Sequence, residues 1–206
     1  APTPGFAALS RGLDLMQSTG YACLWGSAAR PWSIMPRAGY AWWHVILSTK
    51  GSWLPGDPRG FRDHGHRLHS SGDYKRPPPA GEHASLYHWN RTRGQPAVLI
   101  PDALQPAIGE AILEKAQREA VRVVRLAVST THAHLLMPWH GDYASLIKFV
   151  GKLKQCSSQR VRVSMPGAVW AKGGKPVAVR DESHHKQVLR YIREHRDRER
   201  AWYWSE

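Results

Sequence analysis

Cysteine is nearly missing from this chain of 206 residues: Cys23 and Cys156 stand far apart and in unlike surroundings. That excludes a disulfide framework or a cysteine-built zinc module and suits a reducing compartment. Long apolar runs are missing as well. No stretch approaches the ~18 residues of a membrane span, and the first residues lack the basic-then-apolar order of a secretory signal. The expectation is a cytoplasmic protein with no membrane partner. Acidic residues are scarce: 16 Asp and Glu face 29 Lys and Arg, a formal charge of +13 with a pI near 10.2. In one domain of this size such an imbalance is the footprint of a nucleic-acid binder, a generally basic surface being the bland alternative.

The positive charge is clustered. Lys148, Lys152, Lys154, Arg160 and Arg162 follow one segment, and Arg190, Arg193, Arg196, Arg198 and Arg200 follow another. Ten tryptophans and seven tyrosines add flat apolar faces, most of them for packing and some able to stack on unpaired bases.

Residues 1–35 mix Gly, Ser and Pro without a sustained period and read as an N-terminal extension outside the fold, with a docked N-terminal arm as the equal alternative. Residues 36–206 then form a single domain. Its first strand begins near Tyr40. Residues 50–101, rich in Gly, Pro, His and Arg, read as a long basic insertion, either laid along a nucleic-acid groove or simply solvated. Asp102 is placed to cap a helix whose stripe is Leu104, Ile108, Ile112, Leu113 and Ala116. Strands over 121–129 and 131–138 are joined by a tight turn at Thr130-Thr131, and a helix over 142–163 carries Leu146, Phe149, Val150 and Leu153 inward. Residues 168–171 and 176–179 read as a hairpin across Lys172-Gly173-Gly174-Lys175. A last helix, capped by Asp181 or Ser183, carries Val188, Leu189, Tyr191, Ile192 and His195, with His184 and His185 exposed at its start. The order predicts an α+β fold: a ferredoxin-like split βαβ antiparallel sheet with helices mainly on one face.

Two histidine pairs of the form His-x-His occur, and chance alone would supply about 0.7 among 12 histidines in 206 residues. Context separates them. His64 and His66 lie in a polar, loop-like stretch, whereas His132 and His134 interrupt an apolar strand and project from one face of it. Imidazoles on such a face need hydrogen-bond partners or a metal ion, since each costs about 1–3 kcal/mol if buried unpaired. Tyr191 and His195, four apart, share a helical face and can approach the same ion, the phenol as attacking group. Tyr143, at the start of the 142–163 helix, is the weaker nucleophile candidate. A structural zinc site drawing on the histidines near 64–69 is a third reading, disfavoured by the lack of cysteine ligands.

In order along the chain, the His132-Ala133-His134 strand, the stretch Lys154-Gln155-Cys156-Ser157-Ser158-Gln159-Arg160-Val161, Val169-Trp170, and Val188-Leu189-Arg190-Tyr191-Ile192-Arg193-Glu194-His195 resemble the single-tyrosine HUH transposases. That group moves insertion sequences as single-stranded DNA and includes the transposase-like proteins associated with repetitive extragenic palindromes. The resemblance implies that His132, His134 and His195 hold a divalent ion, Mg²⁺ or Mn²⁺. Tyr191 becomes the catalytic nucleophile, forming a 5′-phosphotyrosine intermediate in DNA strand cleavage and rejoining. His195 stands where the family commonly has Gln or Asn, and Ala133 is smaller than the usual residue between the paired histidines. Cationic neighbours such as Arg190 or Lys186 are expected to help the phenol ionise. The implied partner is single-stranded DNA, hairpin or palindromic, contacted by Lys148, Lys152, Lys154, Arg160 and Arg190 in a bacterial, nucleoid-associated setting. A non-catalytic hairpin-binding protein or repressor on the same fold is the alternative. A monomer is favoured slightly over a homodimer, because the 50–101 insertion is able to cover a sheet edge.

Overall fold

The computed structural model describes residues 41–61, 70–71 and 78–206. The expected extension over 1–35, and His64 and His66 with the zinc reading built on them, lie outside the described residues. Five strands form one antiparallel sheet in the order β4-β1-β3-β2-β5. They are β1 (Ala41–Ser48), β2 (Arg125–Val128), β3 (His132–Trp139), β4 (Lys175–Ala178) and β5 (Trp202–Ser205). The helices are α1 (Ala84–Arg93), α2 (Gln105–Arg118), α3 (Tyr143–Arg160) and α4 (Glu182–Glu199). Because β1 and β2 both run antiparallel to the β3 between them, they are parallel to each other and α2 makes the crossover. The same holds for β3 and β4 around β1, with α3 as crossover. These are the two split βαβ units expected, and β5 adds a fifth strand beyond β2.

Side-chain alternation divides the sheet into two faces. Val45, Leu47, Leu126, Val128, Ala133, Leu135 and Met137 join Ile108 and Ile112 of α2 and Leu146, Phe149, Val150 and Leu153 of α3 in the main core. Each fully buried aliphatic or aromatic side chain there contributes about 1.5–3 kcal/mol. Trp42, Ala127 and Leu136 face the other way, onto Val188 and Ile192 of α4. Two long helices therefore cover one face and α4 part of the other, and the histidines of β1 and β3 belong to the α4 face.

Several local expectations change. Residues 168–171 and 176–179 do not pair with each other: Trp170 bridges Thr49 while β4 pairs with Trp43 to Ile46, so both lie antiparallel along β1. The intervening glycine loop is a bulge in one edge, not a hairpin turn. Asp102 heads a 3-10 turn instead of capping the helix, and its carboxylate accepts from the Gln105 side chain at 3.1 Å. α2 starts at Gln105, where Pro106 occupies the first turn and lacks the N–H a cap would satisfy. Asp181 caps α4 through the His184 backbone N–H at 2.7 Å. His185, expected at the surface, is 5% exposed and meets Trp42 edge-on at 4.6 Å. Ser157 is structural: its hydroxyl donates to the Leu153 carbonyl and accepts from Trp170 Nε1.

Candidate active site

The site is assembled from two strands and one helix. β3 turns His132 and His134 to the α4 face. β1 brings His44 to the same face, because Ile46 pairs with His134 and His44 sits diagonally beside it. α4 buries His185, Val188, Ile192 and His195 at spacings of three and four, which carries Tyr191 and His195 across the two β3 histidines. One nitrogen from each of His132, His134 and His195 lies within 4.8 Å of the others.

The outward nitrogens are held in a consistent way. His195 Nδ1 donates to the Tyr191 carbonyl at 2.9 Å, an acceptor that fixes the proton on Nδ1. His132 Nδ1 is 3.0 Å from Thr131 Oγ1, and His134 Nδ1 is 2.9 Å from His44 Nε2. The Nε2 atoms of the three rings are left for other contacts. Those of His132 and His195 are 3.1 Å apart, and that of His134 is buried without a hydrogen-bond partner. An orphaned buried imidazole nitrogen beside two others is the donor chemistry of a divalent-ion site, and these three residues fit one.

Electrostatics agree with neutral, ligand-competent rings at His132 and His134. Burial, followed by the nearby charges of His132, His44 and His195, holds His134 well below the ordinary histidine value. His132 is lowered by burial, with Glu199 opposing and His195 and Arg59 adding to the shift. Burial, with His184, His195 and Lys175, brings His44 to about 4. Tyr191 stands over this group at ring-centroid distances of 4.5 Å from His195, 5.1 Å from His134 and 5.9 Å from His44. It is 42% exposed, so the phenol remains open to an incoming chain. Its pKa is raised by burial and by Glu199, with Arg198 opposing. The expected help from Arg190 and Lys186 is absent from these causes. Each instead faces an acid one turn away on α4, Arg190 with Glu194 at 3.7 Å and Lys186 with Glu182 at 2.6 Å.

A family model described as "Transposase IS200 like" matches residues 89–195, the span that contains α2, β2, β3, α3, β4, both His132 and His134, and Tyr191 to its last residue, His195. The chain belongs to this family of transposases. Among solved structures, a REP-associated tyrosine transposase bound to a REP hairpin aligns at 11% identity and a TM-score of 0.40, over 76% of this chain and 67% of that one. No curated protein matches the chain.

Other expected site residues lie elsewhere on this transposase-family domain. Lys148, Lys152, Lys154 and Arg160 are on α3, across the sheet from the histidines. Lys152 pairs with Glu119 at 2.9 Å, Arg160 with Glu114 at 2.6 Å, and Lys154 donates to the carbonyls of Ala171 and Gly173. Of the five cations expected to touch DNA, only Arg190 shares a helix with Tyr191. Tyr143 begins α3 and meets Trp43, which packs into the main core, so it is not brought to the histidines. Sequence reasoning missed His44 and Glu199. His44 sits in the same strand alternation as Val45 and Leu47, on the opposite face, and that alternation was the available signal. Glu199 continues the four-residue spacing of Tyr191 and His195.

Proposed function

We propose that this transposase-family protein is a metal-dependent single-stranded DNA endonuclease and strand transferase working through a 5′-phosphotyrosine intermediate. The observation that carries the reading is the convergence of one ring nitrogen from each of three histidines beneath a half-exposed tyrosine on the same helix as one of them. A divalent ion bound there, Mg²⁺ or Mn²⁺, would polarise a non-bridging phosphate oxygen and stabilise charge developing at phosphorus.

The chain's residues supply the rest. Tyr191 Oη attacks phosphorus in line. The bond between phosphorus and the 3′ oxygen breaks, that oxygen leaves as a 3′ hydroxyl after taking up a proton, and the 5′ phosphate stays esterified to the phenol. Attack by a 3′ hydroxyl on the ester reverses these bonds and rejoins a strand, so no nucleotide cofactor is consumed. Burial and Glu199 raise the Tyr191 pKa, so deprotonation of the phenol depends on nearby positive charge. His195 acts from one turn further along α4, where the Tyr191 carbonyl sets its ring.

In this proposal the substrate is a single strand with hairpin or palindromic character. Arg190 contacts phosphate beside the cleaved bond, and Lys148, Lys152, Lys154 and Arg160 serve strand that wraps past α3, exchanging their internal partners for phosphate. The protein acts as a monomer with its tyrosine in its own site, a reading supported by the packing of Val188 and Ile192 of α4 against Ala127 and Leu136 of the same chain's sheet. The edge-covering argument for a monomer has no such support: among the described residues, no backbone hydrogen bond joins the 50–101 segment to β4 or β5. A repressor or hairpin binder without strand transfer would have no use for an exposed phenol above the histidines. Incubating the protein with end-labelled hairpin DNA and Mn²⁺ should give a covalent adduct on a denaturing gel, and Tyr191→Phe should give none. Mixing Tyr191→Phe with His132→Ala chains tests the assignment in one chain, since regained cleavage would mean shared sites.

A further inference from the structure

Glu199, the last residue of α4, lies outside the span matched by the family model. Its carboxylate stands beside two of the three histidines, with one oxygen 3.5 Å from His132 Nε2 and the other 3.7 Å from His195 Nε2. Resting on the metal-site reading above, we propose that Glu199 is a fourth protein ligand, so that the ion is a divalent transition metal of the Mn²⁺ kind held by three imidazoles and one carboxylate.

Three observations support this. First, the donor atoms face one another. His195 Nδ1 donates to the Tyr191 carbonyl, so Nε2 is the ring nitrogen turned toward Glu199. A carboxylate is an oxygen ligand for a divalent cation, and an ion between it and the imidazole nitrogens would bind both. Second, the spacing of the carboxylate fits ligands around one ion better than hydrogen bonds, while the 3.1 Å between His132 and His195 Nε2 suits either. Hydrogen bonds of this type are about 2.7–3.2 Å. Two ligands on one ion with bonds of about 2.1 Å stand about 3.0 Å apart in octahedral and about 3.4 Å apart in tetrahedral geometry. The separations of 3.1, 3.5 and 3.7 Å among His132, His195 and Glu199 are near this range. Third, the backbone holds the residue in place. Tyr191, His195 and Glu199 recur every four residues on one helical face. Immediately afterwards Arg200 adopts a left-handed conformation with φ 53°, Ala201 N–H returns to the His195 carbonyl, and β5 is hydrogen-bonded to β2.

Imidazole nitrogens suit the later transition metals and carboxylate oxygen suits harder ions, so a site with three of one and one of the other favours Mn²⁺ over Mg²⁺. The remaining coordination positions are left for phosphate oxygen.

The test measures metal binding by the full chain without DNA. Mn²⁺ is titrated by electron paramagnetic resonance and Co²⁺ by visible absorption, with circular dichroism confirming the fold of each variant. Wild type should bind one Mn²⁺ per chain, more tightly than Mg²⁺. Glu199→Gln should weaken Mn²⁺ binding tenfold or more and shift the Co²⁺ bands, and the loss should persist in 0.5 M salt, where a charge merely nearby would be screened. Asp197→Asn removes a neighbouring carboxylate that pairs with Arg196 and should leave affinity unchanged. Unchanged binding and spectra in Glu199→Gln, with one Mn²⁺ still held by wild type and lost in His132→Ala, would overturn the fourth ligand and leave the histidine site standing. Wild type that binds no ion would overturn the histidine site, and Glu199 with it.

Discussion

His44 offers a sharp test of how the site is organised. Its Nε2 lies 2.9 Å from His134 Nδ1, and the two residues are 8% and 3% exposed. If His134 is to present Nε2 as a lone pair, its proton must sit on Nδ1, and His44 accepts it. His44→Phe keeps a flat ring in the space and removes the acceptor. A buried N–H left unpaired costs about 1–3 kcal/mol. Moving the proton to Nε2 avoids that cost but blocks the atom that would hold the ion, so the penalty falls on metal binding. Loss of such a supporting partner costs 10–100-fold in affinity, about 1.4–2.7 kcal/mol, within the first range. The metal-free protein should be little affected, because burial already keeps His44 neutral, with a pKa of about 4. Calorimetric titration with Mn²⁺ should therefore show weakening of about 10–100-fold for Phe. His44→Gln, whose amide oxygen can accept the same bond, should recover much of it. Wild-type affinity in the Phe variant would refute the reasoning and leave His44 as packing.

Tyr191→Phe should abolish the covalent adduct with hairpin DNA while a gel-shift assay shows affinity within about twofold of wild type, since only the attacking oxygen is lost. Gly109→Ala should destabilise the fold by about 1–3 kcal/mol in urea titration, because a Cβ there would come 2.0 Å from the Trp202 ring; this exceeds the ~1 kcal/mol gained in helix propensity, and a neutral result would mean that β5 does not pack there. His185 is lowered by burial, then by Arg125 and His184 against Glu182, so the unfolded chain takes up its proton first as pH falls. Its neutral form's contribution should be complete above an unfolded pKa of about 6.5 and decline below it, so wild type should lose stability relative to His185→Leu from pH 7 to pH 5; parallel curves would contradict this. Binding to single-stranded hairpin DNA should fall linearly in log–log form as salt rises, through counterion release, and a flat dependence would remove the charge argument.

Periodicity alone exposed the parts of this fold whose neighbours are near in sequence. The inward stripe of α3, the two strands joined at Thr130-Thr131, and the projection of His132 and His134 from one face follow from the 3.6- and 2-residue repeats, which depend only on local backbone geometry. The same repeats were silent on α1, whose described residues include none that is buried, so no apolar stripe marks it. β5 is four residues long and becomes a strand only because α4 returns the chain beside β2. Residues 170–178 carry a glycine turn that reads as a hairpin, but β1 offers a longer unpaired edge, and both flanks pair with it instead. At the site, the sequence by itself determined which histidines share a strand face and which tyrosine shares a helical face with His195. Tertiary structure decided that these two faces meet, that His44 from 90 residues away supports His134, and that the exposed lysines of α3 lie across the sheet. Contacts of that kind depend on strand register and on where a helix crosses a sheet. Those are settled by burial of the whole core, and no window of a few residues contains them.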